Sequence, residues 1–125
     1  MSTTHNILIV EDDEVQLRLQ RILLMEEGYT VHSTADGPQG ITIYKKNPID
    51  LVLLDLGLPS MSGLEVLKEI RSIDNKAKII VVTGYPSVES IVIAMQNGAW
   101  DYMQKPVDVK LLLKKICTAL STVNS

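Results

Sequence analysis

Residues 49–63 read IDLVLLDLGLPSMSG, and the fold turns on this stretch. Leu51, Val52, Leu53 and Leu54 form a short continuous apolar run, the pattern of a strand buried on both faces of a parallel sheet. Asp55 ends the run. A carboxylate there is either at the strand's C-terminal edge or buried at large cost, and open α/β sheets place their ligand crevices outside the carboxyl ends of strands. Asp55 is therefore a candidate site residue; the alternative is a plain turn former. The loop beyond it holds Gly57 and Pro59, and Ser62 is placed to cap a helix carrying Leu64, Leu67 and Ile70.

Working outward, residues 7–10 are a second apolar run, and it ends in three acids, Glu11, Asp12 and Asp13. A helix over 14–27 follows, with Val15, Leu19, Ile22 and Leu23 expected on its core face and Gly28 at its C-terminal cap. Leu17 and Leu24 then fall on the opposite face, as a candidate partner-binding stripe. Residues 29–33 alternate like an edge strand. Asp36 and Gly37 turn the chain, and a weaker helix over 39–46, interrupted by Gly40, closes at Asn47-Pro48.

Residues 77–82 give a fourth strand, stopping at Thr83-Gly84. Pro86-Ser87 opens a helix expected to bury Val88, Ile91, Val92 and Met95, which leaves Ile93 exposed. Residues 100–104 form a short fifth strand ending at Lys105-Pro106, with Trp100 and Tyr102 on one sheet face. Asp108 caps the last helix, whose core face is Val109, Leu112, Leu113, Ile116 and Leu120, with Lys110, Lys114 and Lys115 toward water. Five strands alternating with five helices imply a parallel sheet covered on both faces.

Composition sets limits. At 125 residues the chain has the size of one domain, 1–125, with 1–5 as a flexible tail and 121–125 as a frayed end. Hydrophobic residues make up 46%, with no Phe and one Trp, which favours an aliphatic core over an aromatic pocket. A net charge of -3 argues against direct nucleic-acid binding. Cys117 is the single cysteine, so an intrachain disulfide and a cysteine zinc site are excluded, consistent with a cytoplasmic location. Nothing in the pattern anchors the chain in a membrane. His5 and His32 stand apart, as solvated or structural residues rather than ligands.

Once the strands are parallel, Glu11, Asp12, Asp55, Thr83 and Lys105 converge on one edge. Clustered carboxylates need neutralising, and a hard divalent cation does this with oxygen ligands; Mg²⁺ is the natural choice, with Mn²⁺ as a substitute. Such a carboxylate facing a hydroxyl and an ammonium suits phosphoryl transfer, with Asp55 as nucleophile and the metal and Lys105 holding the equatorial oxygens. Thr83 Oγ donates to one of them, and the backbone N–H groups of Leu56 and Gly84 are further candidate donors.

From ILIVEDD through LVLLDLGLPSMSG and IIVVTG to GAWDYMQKP, the chain resembles the receiver domain of bacterial two-component response regulators, along essentially its whole length. The resemblance implies a flavodoxin-like, chemotaxis-regulator-type fold, α/β with five parallel strands in the order 2-1-3-4-5 and five helices. It implies that Asp55 is the phosphoacceptor, Glu11 and Asp12 the acidic pair, Thr83 the switch hydroxyl and Lys105 the phosphate-binding lysine. Tyr102 matches the aromatic rotamer switch and the Gly57 carbonyl the backbone metal ligand, and the Lys105-Pro106 bond is expected to be cis. Asp12 is assigned as the direct metal ligand and Glu11 as the outer one, with Asp13 as helix cap. Ser62 departs from the acid many relatives carry before that glycine.

The implied function is a phosphorylation-activated switch, catalysing only its own phosphorylation and dephosphorylation. Its donor would be a sensor histidine kinase, a phosphotransfer protein or a small phosphodonor. The surface of the fourth helix, fifth strand and fifth helix would then act on an output domain or downstream protein, in transcription regulation for example, with a homodimer on activation through Ile93. Gly57 leaves the acyl phosphate open, whereas Tyr85 is placed to shield it and slow hydrolysis. A phosphorylation-independent docking module of the same fold is the alternative. A flavin carrier is disfavoured by the acidic loop after Val10, and an aspartyl phosphatase by the lack of a second acid two residues beyond Asp55.

Overall fold

The computed structural model describes residues 4–58, 61–84 and 87–122. Five strands, β1 (Asn6–Val10), β2 (Thr30–Thr34), β3 (Leu51–Asp55), β4 (Ile79–Thr83) and β5 (Asp101–Gln104), pair in parallel in the order β2-β1-β3-β4-β5. Five helices alternate with them: α1 (Glu14–Glu26), α2 (Gly37–Lys46), α3 (Gly63–Ile73), α4 (Val88–Gln96) and α5 (Val109–Ser121). None is long and apolar enough to cross a membrane.

Strand alternation divides the core into two layers. Val52 and Leu54 pack with Val66, Leu67 and Ile70 on the α2–α4 side, whereas Leu51 and Leu53 pack with Leu24, Leu112 and Ile116 on the α1–α5 side. All five residues of β3 and of β4 are buried, which is why these strands read as unbroken apolar runs. The caps fall where the side chains predict: Asp13 accepts from the Val15 and Gln16 amides, Ser62 from Glu65 and Asp108 from Leu111. The α4 cap is Ser87, which accepts from the Ser90 amide; Pro86 lies outside the described residues.

Several helix faces differ from expectation. On α1, Val15, Leu19 and Ile22 are exposed, while Leu24 and Gln20 are buried and Leu17 packs against the core. The helix carries apolar stripes on roughly opposite sides, at about 100° per residue, and periodicity alone does not choose between them. On α4, only Ala94 is buried among the helix residues; Val88, Val92 and Met95 are exposed, and Ile93, expected outside, is half-buried. Val109 of α5 is also exposed, and Lys115, expected in water, is half-buried and paired with Asp101 at 2.6 Å.

Asp36 and Gly37 do not form a turn: Asp36 caps α2 through the Gln39 amide, and the helix passes through Gly40 without a break. Trp100 precedes β5 and packs against the α1–α5 layer, and Lys78 Nζ lies 5.3 Å from its ring centroid. The His5 carbonyl accepts from the Thr30 amide, and Ser121 is the last residue of α5, its hydroxyl on the Cys117 carbonyl.

Candidate functional site

Because the strands are parallel, the residues that end β1, β3, β4 and β5 share one edge. Glu11 directly follows β1, Asp55 and Thr83 are the last residues of β3 and β4, and Lys105 directly follows β5. Glu11, Asp55 and Thr83 are 2%, 7% and 5% exposed; for the two carboxylates such burial is unusual and a sign that partners hold them. Lys105 Nζ lies 2.7 Å from Glu11 Oε1 and 3.2 Å from Asp55 Oδ2, so one ammonium bridges both buried carboxylates. Backbone bonds fix the approach: the Lys105 amide donates to the Thr83 carbonyl at 2.8 Å, tying the ends of β4 and β5.

Each carboxylate has its own surroundings. Asp55 Oδ1 accepts from the Gly57 amide at 3.0 Å, and Glu11 Oε2 from the Asp13 amide at 3.2 Å. Burial pushes the Glu11 carboxyl up to about 7; Lys105 pulls the other way, and the neighbouring Asp55 adds to the rise. Burial alone would also raise Asp55, but its hydrogen bonds with Glu11 and the Gly57 amide, together with the Lys105 charge, hold it below the ordinary carboxylate value. Burial would lower the Lys105 ammonium, and the two carboxylates outweigh that and raise it. Burial and the Asp55 neighbour thus favour a proton on Glu11, while Asp55 is held toward its ionised form.

Asp12 is exposed and lines the open crevice, about 560 Å³, in front of Asp55 with Asp13, Gly57, Thr83, Gly84 and Lys105. The Gly84 backbone runs beside the lysine stem: a Cβ there would stand 3.8 Å from Lys105 Cδ. Leu56, whose amide is a candidate donor, follows Asp55 directly and is half-buried. The Lys105-Pro106 bond is cis, as expected, and Pro106 forms part of the crevice wall. Tyr102 is 40% exposed, away from the crevice lining. Tyr85 lies outside the described residues. Gln16 was missed from the sequence: it lines the crevice from the first turn of α1, three residues after the Asp13 cap, and only that spacing pointed to it.

The donor set fits a hard cation. One carboxylate oxygen each from Glu11, Asp12 and Asp55 lie within 4.8 Å of one another, and all are oxygens. Two of these acids are buried against a single ammonium, which leaves negative charge for a divalent ion to offset.

A doubly wound parallel sheet with an aspartate at its carboxyl edge, flanked by acids, a hydroxyl and an ammonium, places the chain among open α/β proteins whose site lies outside the strand ends. The chain belongs to the response regulator receiver domain family, whose model matches residues 7–117. It is 39% identical over 115 residues to the transcriptional regulatory protein YkoG of Bacillus subtilis (strain 168), covering 92% of this chain and 50% of that protein. Among solved structures, the CheY-like receiver domain protein of Methanospirillum hungatei JF-1 superposes with a TM-score of 0.92 at 36% identity, covering 94% of both chains. The response regulator TrrA of Thermotoga maritima, solved with Mg²⁺ and BeF, gives 0.85 at 32% identity, covering 93% of this chain and 99% of that one. The chain spans about a quarter to a half of the length of the curated relatives it matches. Receiver domains are phosphorylation-activated switches that bind Mg²⁺ at an acidic pocket.

Proposed function

We propose that Asp55 accepts the phosphoryl group. Its ionised oxygen attacks phosphorus, the bond from phosphorus to the donor's leaving atom breaks, and the electron pair departs with that leaving group. Lys105 stabilises the charge that spreads over the equatorial oxygens, the Thr83 hydroxyl donates to one of them, and the amides of Leu56 and Gly84 supply further donors. Asp12, Asp55 and the Gly57 carbonyl hold Mg²⁺, with Glu11 as the outer acid, and Mn²⁺ substitutes. When bound, the ion supplies charge neutralisation between Asp55 and the incoming phosphate. The observation that carries this reading is the buried Asp55 kept ionised beside an ammonium 3.2 Å away at the mouth of an open crevice.

Residues 1–125 act as a single domain, and the donor is a sensor histidine kinase or a phosphotransfer protein, with small acyl phosphates able to replace it. Two features favour a protein donor. The apolar groove between α1 and α5, with Leu19, Ile22 and Val109 on its walls, shares Gln16 and Pro106 with the crevice. The same α1 stripe continues outward to the exposed Val15. The output is a domain or downstream protein that reads the α4–β5–α5 surface in the cytoplasm, a transcriptional one by similarity to YkoG, and activation brings two copies together. Thr83 and Tyr102 form the switch.

Incubating the chain with acetyl phosphate and Mg²⁺ tests the chemistry. Intact mass spectrometry is expected to show one added phosphoryl group that chelation of Mg²⁺ prevents and that Asp55→Asn abolishes. Full labelling of folded Asp55→Asn would overturn the assignment.

A further inference from the structure

The loop that carries the Gly57 carbonyl is held from outside the acidic crevice by two close backbone approaches. Gly63, the first residue of α3, donates its amide to the Leu56 carbonyl at 3.0 Å. A Cβ at Gly63 would overlap the Asp55 carbonyl oxygen and Leu56 Cα and stand 2.9 Å from the Asp55 carbonyl carbon. All three are backbone atoms, and none can rotate away. The helix thus begins in direct contact with the main chain of the acceptor residue itself.

The second approach is made by Gly37, the first residue of α2. A Cβ there would stand 3.0 Å from Val66 Cγ2, 3.2 Å from Met61 Cβ and 3.6 Å from Leu58 Cδ1. Leu58 and Met61 flank the loop and Val66 lies on α3, so the start of α2 closely approaches both. Gly57 behaves differently: a Cβ there meets only Asp55 Oδ1, at an ordinary 3.7 Å. Among the glycines at this loop, space constrains Gly63 and Gly37 and not Gly57.

We propose that Gly63 and Gly37 are positioning residues for the metal-binding loop, setting the direction of the Asp55 main chain and of the Gly57 carbonyl. This rests on the reading that Asp55 and the Gly57 carbonyl hold Mg²⁺. Ligand direction governs metal affinity, and supports behind the ligands are worth roughly 10- to 100-fold in it. A glycine needed only for folding would change melting without a separate change in Mg²⁺ affinity.

The test is calorimetric titration of Mg²⁺ into the full chain, without phosphodonor, beside thermal melts of the same variants. Gly63→Ala is expected to weaken Mg²⁺ binding about tenfold or more and Gly37→Ala about threefold. Ser62→Ala removes the α3 cap without touching the Asp55 backbone and is expected to lower the melting temperature while leaving Mg²⁺ affinity unchanged. A folded Gly63→Ala with wild-type affinity overturns the proposal, and so does a loss of affinity in Ser62→Ala that tracks its loss of stability. Should Gly63→Ala fail to fold, Gly37→Ala decides, because its neighbours are side chains and the β-carbon of Met61 rather than strand backbone; unchanged affinity there overturns the proposal. Wild-type protein that takes up no Mg²⁺ removes the metal reading and the positioning role with it, whereas wild-type binding with indifferent variants removes the positioning role alone.

Discussion

Glu11, Asp12 and Asp13 are three consecutive acids with three different fates, and the sequence distinguishes them only weakly. Asp13 was legible as a cap, because a short acid before an apolar-periodic stretch satisfies open helix amides. The burial of Glu11 beneath the Lys105 ammonium was not, since the partner arrives 94 residues later in the chain. That burial has a pH signature in the metal-free protein. The folded Glu11 carboxyl sits near 7 against 4.5 for the free group, so between those values the native state holds a proton that the unfolded chain has lost. Its contribution is therefore complete below about pH 4.5 and lost as pH rises through 7. Asp55, shifted the opposite way, contributes above its ordinary value and loses that contribution as acid protonates it, in a separate and lower window. Urea unfolding without divalent ions, compared at pH 5 and pH 7.5, is expected to show this decline in the wild type and a flatter profile in Glu11→Gln. Equal pH slopes in the two proteins would remove Glu11 from the account.

At the scale of the element, strands were more legible than helix faces. A strand covered on both sides needs apolar residues along its buried length, and Leu51 to Leu54 of β3 and Ile79 to Val82 of β4 supply them before the polar Asp55 and Thr83, so one reading remains. In α1 the residues around Leu17 and Leu24 compete with those around Val15, Leu19 and Ile22, and the polar Gln20 among the first group tilts a pattern reading the wrong way. The sheet takes the stripe that contains Gln20, although its Nε2 is buried without a hydrogen-bond partner. Three substitutions read the outcome by chemical denaturation. Leu24→Ala empties a fully buried site and is expected to cost about 2–5 kcal/mol. Leu19→Ala, at a 58% exposed position, is expected to change stability by less than about 0.5 kcal/mol. Gln20→Leu removes a desolvated amide and is expected to be neutral or stabilising by up to roughly 1 kcal/mol. A large loss in Leu19→Ala with a small one in Leu24→Ala would restore the face that periodicity suggested.

For the whole molecule, the two helices that flank β5 in sequence, α4 and α5, are fastened unequally. On the α1–α5 side, α5 buries Leu112, Ile116 and Ala119, the Lys115–Asp101 pair ties it to β5, and Lys78 donates to its Ala119 and Thr122 carbonyls. On the other side, α4 has only Ala94 fully buried, although Arg71 donates to the Ala77 carbonyl while its guanidinium occupies the space beside Gly98, at the helix's C-terminal end. A helix held at one end and weakly buried is the element a switch can move at small cost. Strand alternation sets Thr83 on the α2–α4 side, the parity of Ile79 and Val81, so in the proposed switch a shift of Thr83 would act first on that layer. The exposed Val88, Val92 and Met95 then form the apolar stripe available to a second copy, in place of the half-buried Ile93 that helical spacing pointed to. Sedimentation under acetyl phosphate and Mg²⁺ separates the two layers: the wild type is expected to self-associate, and Val92→Glu to remain monomeric while still taking the label. Leu19→Glu, on the opposite layer, is expected to associate as the wild type does. Unchanged association in Val92→Glu would remove the α4 stripe from the interface, and loss of association in Leu19→Glu would move the interface to α1.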